Sequence, residues 1–225
     1  MTGLTEKAIG PRSTAGGPVE DARARWEESM LRQVEALRAS VRQEPPEKVA
    51  ARAGAVYEGG SLRLPYWGKA VVVAWPKLEP RQEGTGAPCA VFDTAMVLYY
   101  LKTADGAPLA DRWIGFRELP DGAFYSLAYQ GYSGDRLARA FGDKPEGFHA
   151  AARALGGERL TAPEHAFGFG PLPRLRLAAV LWPGDEEFAA RGAILFDASA
   201  SHYMTTDGLA LLGGGLAGRL EKARP

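Results

Sequence analysis

The stretch Val56-Tyr57-Glu58-Gly59-Gly60-Ser61-Leu62-Arg63-Leu64-Pro65-Tyr66-Trp67-Gly68-Lys69-Ala70-Val71-Val72-Val73-Ala74-Trp75 decides the fold. Apolar side chains recur there at every second position: Leu62 and Leu64, then Val71, Val73 and Trp75. That is the period of a strand with one buried face. Gly59-Gly60 and Trp67-Gly68 break the alternation where the chain must turn, so the stretch predicts a small antiparallel meander.

On its N-terminal side the period is helical. Trp26, Met30, Val34, Leu37 and Val41 recur at steps of four and three, with Glu and Arg on the other face, and Asp21 is the expected N-cap. Pro45-Pro46 stop this helix and start a short one that ends at Gly54. Residues 1–19 are rich in Gly, Thr, Ser and Pro without apolar period and read as a flexible tail, leaving residues 20–225 as one expected domain.

On its C-terminal side, Pro76–Pro88 reads as a loop. Asp93 is a candidate cap for a helix to about Thr103 with Met96, Val97, Tyr100 and Leu101 inward. Trp113–Glu118 reads as a strand, and short helices follow at Phe124–Tyr129 and Ser133–Phe141. Asp143-x-x-Glu146 is a capping-box start for a third. Leu175, Leu177, Ala179 and Leu181 alternate along a strand expected to pair with Ala193–Phe196 as a hairpin. Thr205 or Thr206 caps a final helix carrying Leu209, Leu212, Leu216 and Leu220. Helices and strands come in separate runs, which predicts an α+β fold: a mainly antiparallel sheet against several short helices, with long helices at both ends.

Charge and cysteine content narrow the function. Lys plus Arg equal Asp plus Glu at 27 each, so the basic excess of a nucleic-acid binder is missing. Cys89 is the only cysteine, which excludes an internal disulfide, a CxxC redox pair or a thiolate cluster. No apolar run suits a secretion signal or a membrane span, so a cytoplasmic location is expected.

Three segments are distinctive together and in their order: Trp113-Ile-Gly-Phe-Arg-Glu-Leu-Pro120, Leu181-Trp-Pro-Gly-Asp-Glu-Glu-Phe188 and Ile194-Leu-Phe-Asp-Ala-Ser-Ala-Ser-His-Tyr203. Over about Trp26 to Leu220 the chain resembles the bacterial and archaeal family called domain of unknown function 3786. The resemblance implies no established activity and no catalytic residues to carry over. Some members of that family look like fusions with a small iron–sulfur domain of the kind found in corrinoid proteins, which hints at anaerobic redox or one-carbon metabolism. This chain lacks those cysteines.

Among the histidines, His149 and His165 read as structural. His202 follows a strand end and the small residues Ala198–Ser201, so its imidazole could coordinate a metal or a tetrapyrrole iron or cobalt, or act as a base, oriented by Asp197. The competing reading is a core histidine bonded to Asp197 or Glu118. Glu118, Asp185 and Glu186 would complete a metal site with His202, although no local ligand spacing fixes them, and a turn of solvated carboxylates is the plain alternative. Tyr100, Trp113, Tyr125 and Tyr203 would wall a pocket for a planar cofactor such as a haem or a corrinoid, although core packing explains aromatics equally well. Gly213-x-Gly215-x-x-Gly218 matches a dinucleotide fingerprint as text only, since no strand precedes it and the chain soon ends. Three consecutive glycines cost a helix roughly 2–3 kcal/mol against alanine, so close packing or a break must compensate.

Three functions follow from these residues. The first is an accessory protein binding a small molecule, cofactor or transition metal at His202. The second is a metal-dependent hydrolase using His202 with the carboxylates, and the third is a partner-binding scaffold without a small-molecule site.

Overall fold

A computed structural model of the chain describes residues 18–225, the side chains of 18–27 excepted. Residues 1–17 of the expected tail and the place of Trp26 in the helical stripe therefore lie outside the described residues, while positions 18 and 19 of that tail begin a helix. Helix α1 (Pro18–Val41) contains Asp21 instead of being capped by it, and α2 (Pro46–Ala53) follows. The stripe Met30, Val34, Leu37 and Val41 is buried against α3 (Val91–Thr103), where each such side chain contributes roughly 1.5–3 kcal/mol.

The deciding stretch folds as expected into β1 (Val56–Glu58), β2 (Ser61–Tyr66) and β3 (Lys69–Ala74), paired antiparallel in chain order. A fourth strand, β4 (Glu79–Gln82), extends this sheet inside the segment read as a loop. Pro80 hid it. A proline cannot donate to a ladder, but β4 is the edge strand, where a proline is tolerated.

The second sheet has the order β5-β9-β8-β7-β6, every pair antiparallel. The expected hairpin is β8 (Leu175–Trp182) with β9 (Arg191–Asp197). Strand β7 (Ala166–Leu172) covers the other edge of β8, so β8 is central and both its faces are buried, Ala178 and Val180 included. Short β6 (Glu158–Arg159) completes that side. The expected strand at Trp113 is only β5 (Trp113–Ile114); the chain then tightens into a 3₁₀ turn at Phe116–Glu118, because the Glu118 carboxylate accepts the Gly115 N–H at 2.7 Å.

The remaining helices are α4 (Gly122–Tyr132), α5 (Gly134–Phe141), α6 (Pro145–Ala154) and α7 (Thr206–Lys222). Thr205 and Lys144 occupy the N-cap positions of α7 and α6, but neither side chain makes a cap hydrogen bond and the expected Asp143–Glu146 box is not formed. One contact ties the sheets together and a second ties α2 and α3 to the second sheet. The Trp67 N–H donates to Pro171 O at 2.9 Å, and the buried Tyr100 hydroxyl donates to Ala53 O at 2.6 Å while accepting the Arg174 N–H at 3.0 Å. No helix among the described residues is long and apolar enough to cross a membrane.

The glycine run of α7 is a bed for aromatic rings. Phe116, Tyr129 and Phe196 form a cluster, Phe116 and Tyr129 stacked at 4.1 Å. A methyl group on Gly213 would occupy the place of the buried Tyr129 hydroxyl, and one on Gly214 would come within 2.8 Å of the Tyr132 ring. At Gly215 the nearest atoms belong to Phe92 at 3.7 Å, an ordinary contact. The two positions therefore respond oppositely. Gly213→Ala overpacks the cluster and destabilises by about 1–3 kcal/mol before a helix-propensity gain of about 1 kcal/mol is set against it. Gly215→Ala keeps that gain alone. Urea unfolding of the two variants checks this, and equal midpoints would contradict it.

Candidate functional site

The sequence-chosen residues do not gather around one hollow. His202 sits at the end of a 3₁₀ turn, half exposed, with Nδ1 2.6 Å from Asp105 Oδ2. Its partner is thus Asp105, neither Asp197 nor Glu118. The His202 contact, with the Ala107 N–H, holds the Asp105 carboxyl below its ordinary range. Asp197 is buried and occupied: it accepts the Ser199 hydroxyl at 2.6 Å and the Ser199 and Ala110 N–H groups at 2.9 Å. Burial alone would raise the Asp197 pKa, yet these hydrogen bonds outweigh it and hold the group low.

The other expected metal ligands serve local backbone. Glu118 takes the Gly115 N–H, Asp185 caps the Glu187 and Phe188 N–H groups, and Glu186 is exposed in the same loop. Among the described residues no group of three or more His, Cys, Asp or Glu is placed to hold a metal ion. Nor do the aromatics wall one pocket. Tyr100 and Tyr203 are fully buried and stacked on each other at 5.7 Å, leaving no slot for a flat cofactor between them. Tyr203 donates to Ala107 O. Trp113 edges a separate shallow groove of about 140 Å³, and Tyr125 is half exposed on α4.

A different cleft, of about 430 Å³, is built where β2, α3, α6 and α7 meet. The turn that joins β2 to β3 has only two residues, Trp67 at φ 48° and Gly68 at φ 72°. Two-residue hairpins of this twist need positive φ at both positions and normally take Asn or Gly first. A bulky aromatic there stores about 1–3 kcal/mol of strain, which persists only where the surroundings over-determine it. The bond from the Trp67 N–H to Pro171 O and the packing of its indole supply that constraint.

Arg219, near the end of α7, places its guanidinium carbon 4.9 Å from the Trp67 ring centroid, a cation–π contact worth about 0.5–2 kcal/mol. Its Nη2 donates to Asp93 Oδ1 at 3.1 Å, and the Tyr66 hydroxyl donates to the same oxygen at 2.8 Å. This explains why Asp93, in the first turn of α3, makes no cap. Burial, then Asp93, push the Tyr66 phenol far above its ordinary pKa, with Arg219 and the Trp67 indole working weakly against the rise. Tyr66 therefore stays protonated and remains a donor. Cys89 also lines the cleft, and burial followed by Asp93 raises its thiol pKa, so it is no activated nucleophile.

The Trp67 indole Nε1 is shut off from solvent and sits beside the Tyr66 hydroxyl, short of full hydrogen-bond geometry. Of the charged and thiol side chains that line the cleft, only Cys89 and Asp93 drew attention in the sequence, and for other reasons. The informative signal was Trp67 standing before Gly68 in the turn, a poor turn residue whose side chain had to be wanted.

Elsewhere, α4 carries no charged residue and turns Phe124 and Leu127 outward, 93% and 90% exposed. His149 Nε2 lies 2.9 Å from His165 Nδ1, joining α6 to the start of β7.

A family model described as "Domain of unknown function (DUF3786)" matches residues 45–219. The match takes in Tyr66, Trp67, Asp93 and, as its last residue, Arg219, whereas α1 lies outside it. No curated protein and no solved structure matches the chain.

Burial of His149 makes stability depend on pH. Burial holds the His149 imidazole below its ordinary pKa, with Glu146 at 3.7 Å opposing and His165, Arg159 and Arg153 assisting. The unfolded chain therefore binds that proton more readily than the folded one. The His149 contribution is fully present above the unfolded pKa of about 6.5 and is lost as the pH falls from there toward the lower folded value. Urea midpoints should drop between about pH 7.5 and about pH 5.5, and His149→Gln should flatten the drop. An unchanged slope in that variant contradicts the assignment.

Proposed function

The chain belongs to the family described as domain of unknown function (DUF3786), and from the geometry of its cleft we propose that it is a small-molecule-binding protein whose site lies beside Trp67 and Arg219. One observation carries the reading: at the wall of a cleft of ligand size, Arg219 holds Asp93 through Nη2 alone and keeps its Nε and Nη1 N–H groups without a partner among the described residues. A ligand acceptor there would complete the hydrogen bonding of the guanidinium.

Three further features support it. The cleft is formed by elements distant in the chain and held by hydrogen bonds, so it exists before any ligand arrives. Its lining mixes apolar surface (Val71, Leu155, the Trp67 indole) with a few polar groups, the usual composition of a binding site. The strained turn at Trp67 puts an aromatic wall where a plain hairpin needs none. The sequence-based hypothesis of an accessory binding protein thus keeps its class and changes its site.

The test uses the five tryptophan indole signals of ¹⁵N-labelled protein, Trp67 being identified by loss of one signal in Trp67→Phe. On titration with small aromatic fragments (benzoate, benzamide and benzyl alcohol), the Trp67 signal should shift saturably and further than the other indoles. A Trp67 signal that stays fixed through all three titrations, with shifts confined to other residues or absent, would overturn the reading.

A further inference from the structure

The charges around the cleft select among ligands. Its lining carries two cations, Lys69 and Arg219, and one carboxylate, Asp93, a formal balance of one positive charge. Asp93 Oδ1 is already taken by Tyr66 and Arg219, so that oxygen has little left to offer a ligand cation. Arg219 is only half engaged. Its Nη2 is bound to Asp93, while its Nε and Nη1 make no hydrogen bond among the described residues, and the side chain is about a third exposed. Asp93 thus takes one Nη2 hydrogen and fixes the guanidinium, leaving the second Nη2 hydrogen beside an unpaired N–H on the other edge. The N-terminus of α3 has no side-chain cap and places Cys89 and Asp93 on the same cleft, adding a partial positive charge to that wall.

Resting on the reading of this cleft as a ligand site, we propose that its ligand is a small monoanionic organic acid. The carboxylate meets the free edge of Arg219, with Lys69 at the rim, and an apolar ring or chain lies against Trp67, Val71 and Leu155. A guanidinium edge matches a carboxylate in two parallel N–H···O bonds. A single negative charge brings the lining to neutrality. A dianion such as a phosphate monoester leaves an excess negative charge beside Asp93, and a neutral analogue leaves the Arg219 edge without a partner.

The experiment compares benzoate, benzamide and phenyl phosphate by the shift of the Trp67 indole signal, in the wild-type chain and in Arg219→Gln, Arg219→Lys and Lys69→Gln. Charge-assisted hydrogen bonds predict benzoate binding about tenfold or more tighter than benzamide, with the advantage removed by Arg219→Gln while benzamide is unaffected. Arg219→Lys, which keeps the charge and loses the fork, should retain an intermediate advantage, and it serves alone should the Gln variant melt at the assay temperature. Lys69→Gln should weaken benzoate by only about two- to threefold, because an exposed rim charge is screened by solvent. Benzamide binding as tightly as benzoate, phenyl phosphate binding more tightly, or benzoate indifferent to both Arg219 variants overturns the acid class while leaving the cleft as a site. Failure of all three compounds to move the Trp67 signal overturns the site and the class together.

Discussion

One carboxylate oxygen, Asp93 Oδ1, receives donors from residues 27 positions before it and 126 positions after it. It thereby pins the last residue of β2, the first turn of α3 and the last turns of α7 at one point. A half-buried carboxylate without partners would be costly, and removing one partner of a desolvated ion pair is typically worse than never having built it. The node is therefore all-or-nothing: Tyr66, Asp93 and Arg219 are each placed by the other two. Trp67 follows from it, since the turn after Tyr66 can only carry its indole beneath the guanidinium if β2 ends where the node holds it.

The rest of the molecule serves this arrangement through α7. The helix buries Leu209, Leu212, Leu216 and Leu220 on one side. Its glycines let Tyr129, Tyr132 and Arg136 approach its backbone from α4 and α5. A helix seated that closely can deliver Arg219 at its far end with little freedom. The helix cost of the glycines, roughly 1 kcal/mol each, is offset by ring packing that a methyl group would forbid at Gly213 and Gly214. The backbone Trp67 N–H bond to Pro171 O joins the two sheets, and the Tyr100 hydroxyl joins α2 and α3 to the β7–β8 turn.

Much of this was legible in the residues. Period-two alternation at Leu62–Val73 and the helical stripe at Met30–Val41 gave their elements because one face of each is buried, and burial is what periodicity reports. Strand β4 was not legible because Pro80 is a breaker everywhere except at a sheet edge, and edge position is a property of the assembled sheet. Strand β7 was missed because its glycines and proline obscure any alternation. The cleft was hidden for a related reason. His202, Glu118 and Asp185 looked functional by residue type, yet each is spent on a neighbour or a turn, whereas Tyr66, Asp93 and Arg219 carry no local spacing signal. Their chemistry arises only when three distant elements converge. The oddity of Trp67 in a two-residue turn was the one local mark of the cleft, and it became readable with its φ of 48°.

On the proposal above, the cleft is prepared for an acceptor that the described residues do not provide. A crystal structure of the protein soaked in benzoate tests this most directly. The account predicts the carboxylate against the free edge of Arg219 and the ring beside Trp67, with Asp93 still bound to Tyr66. Benzoate found only elsewhere, for example on the outward Phe124 and Leu127 of α4, with solvent alone beneath Arg219, would contradict it.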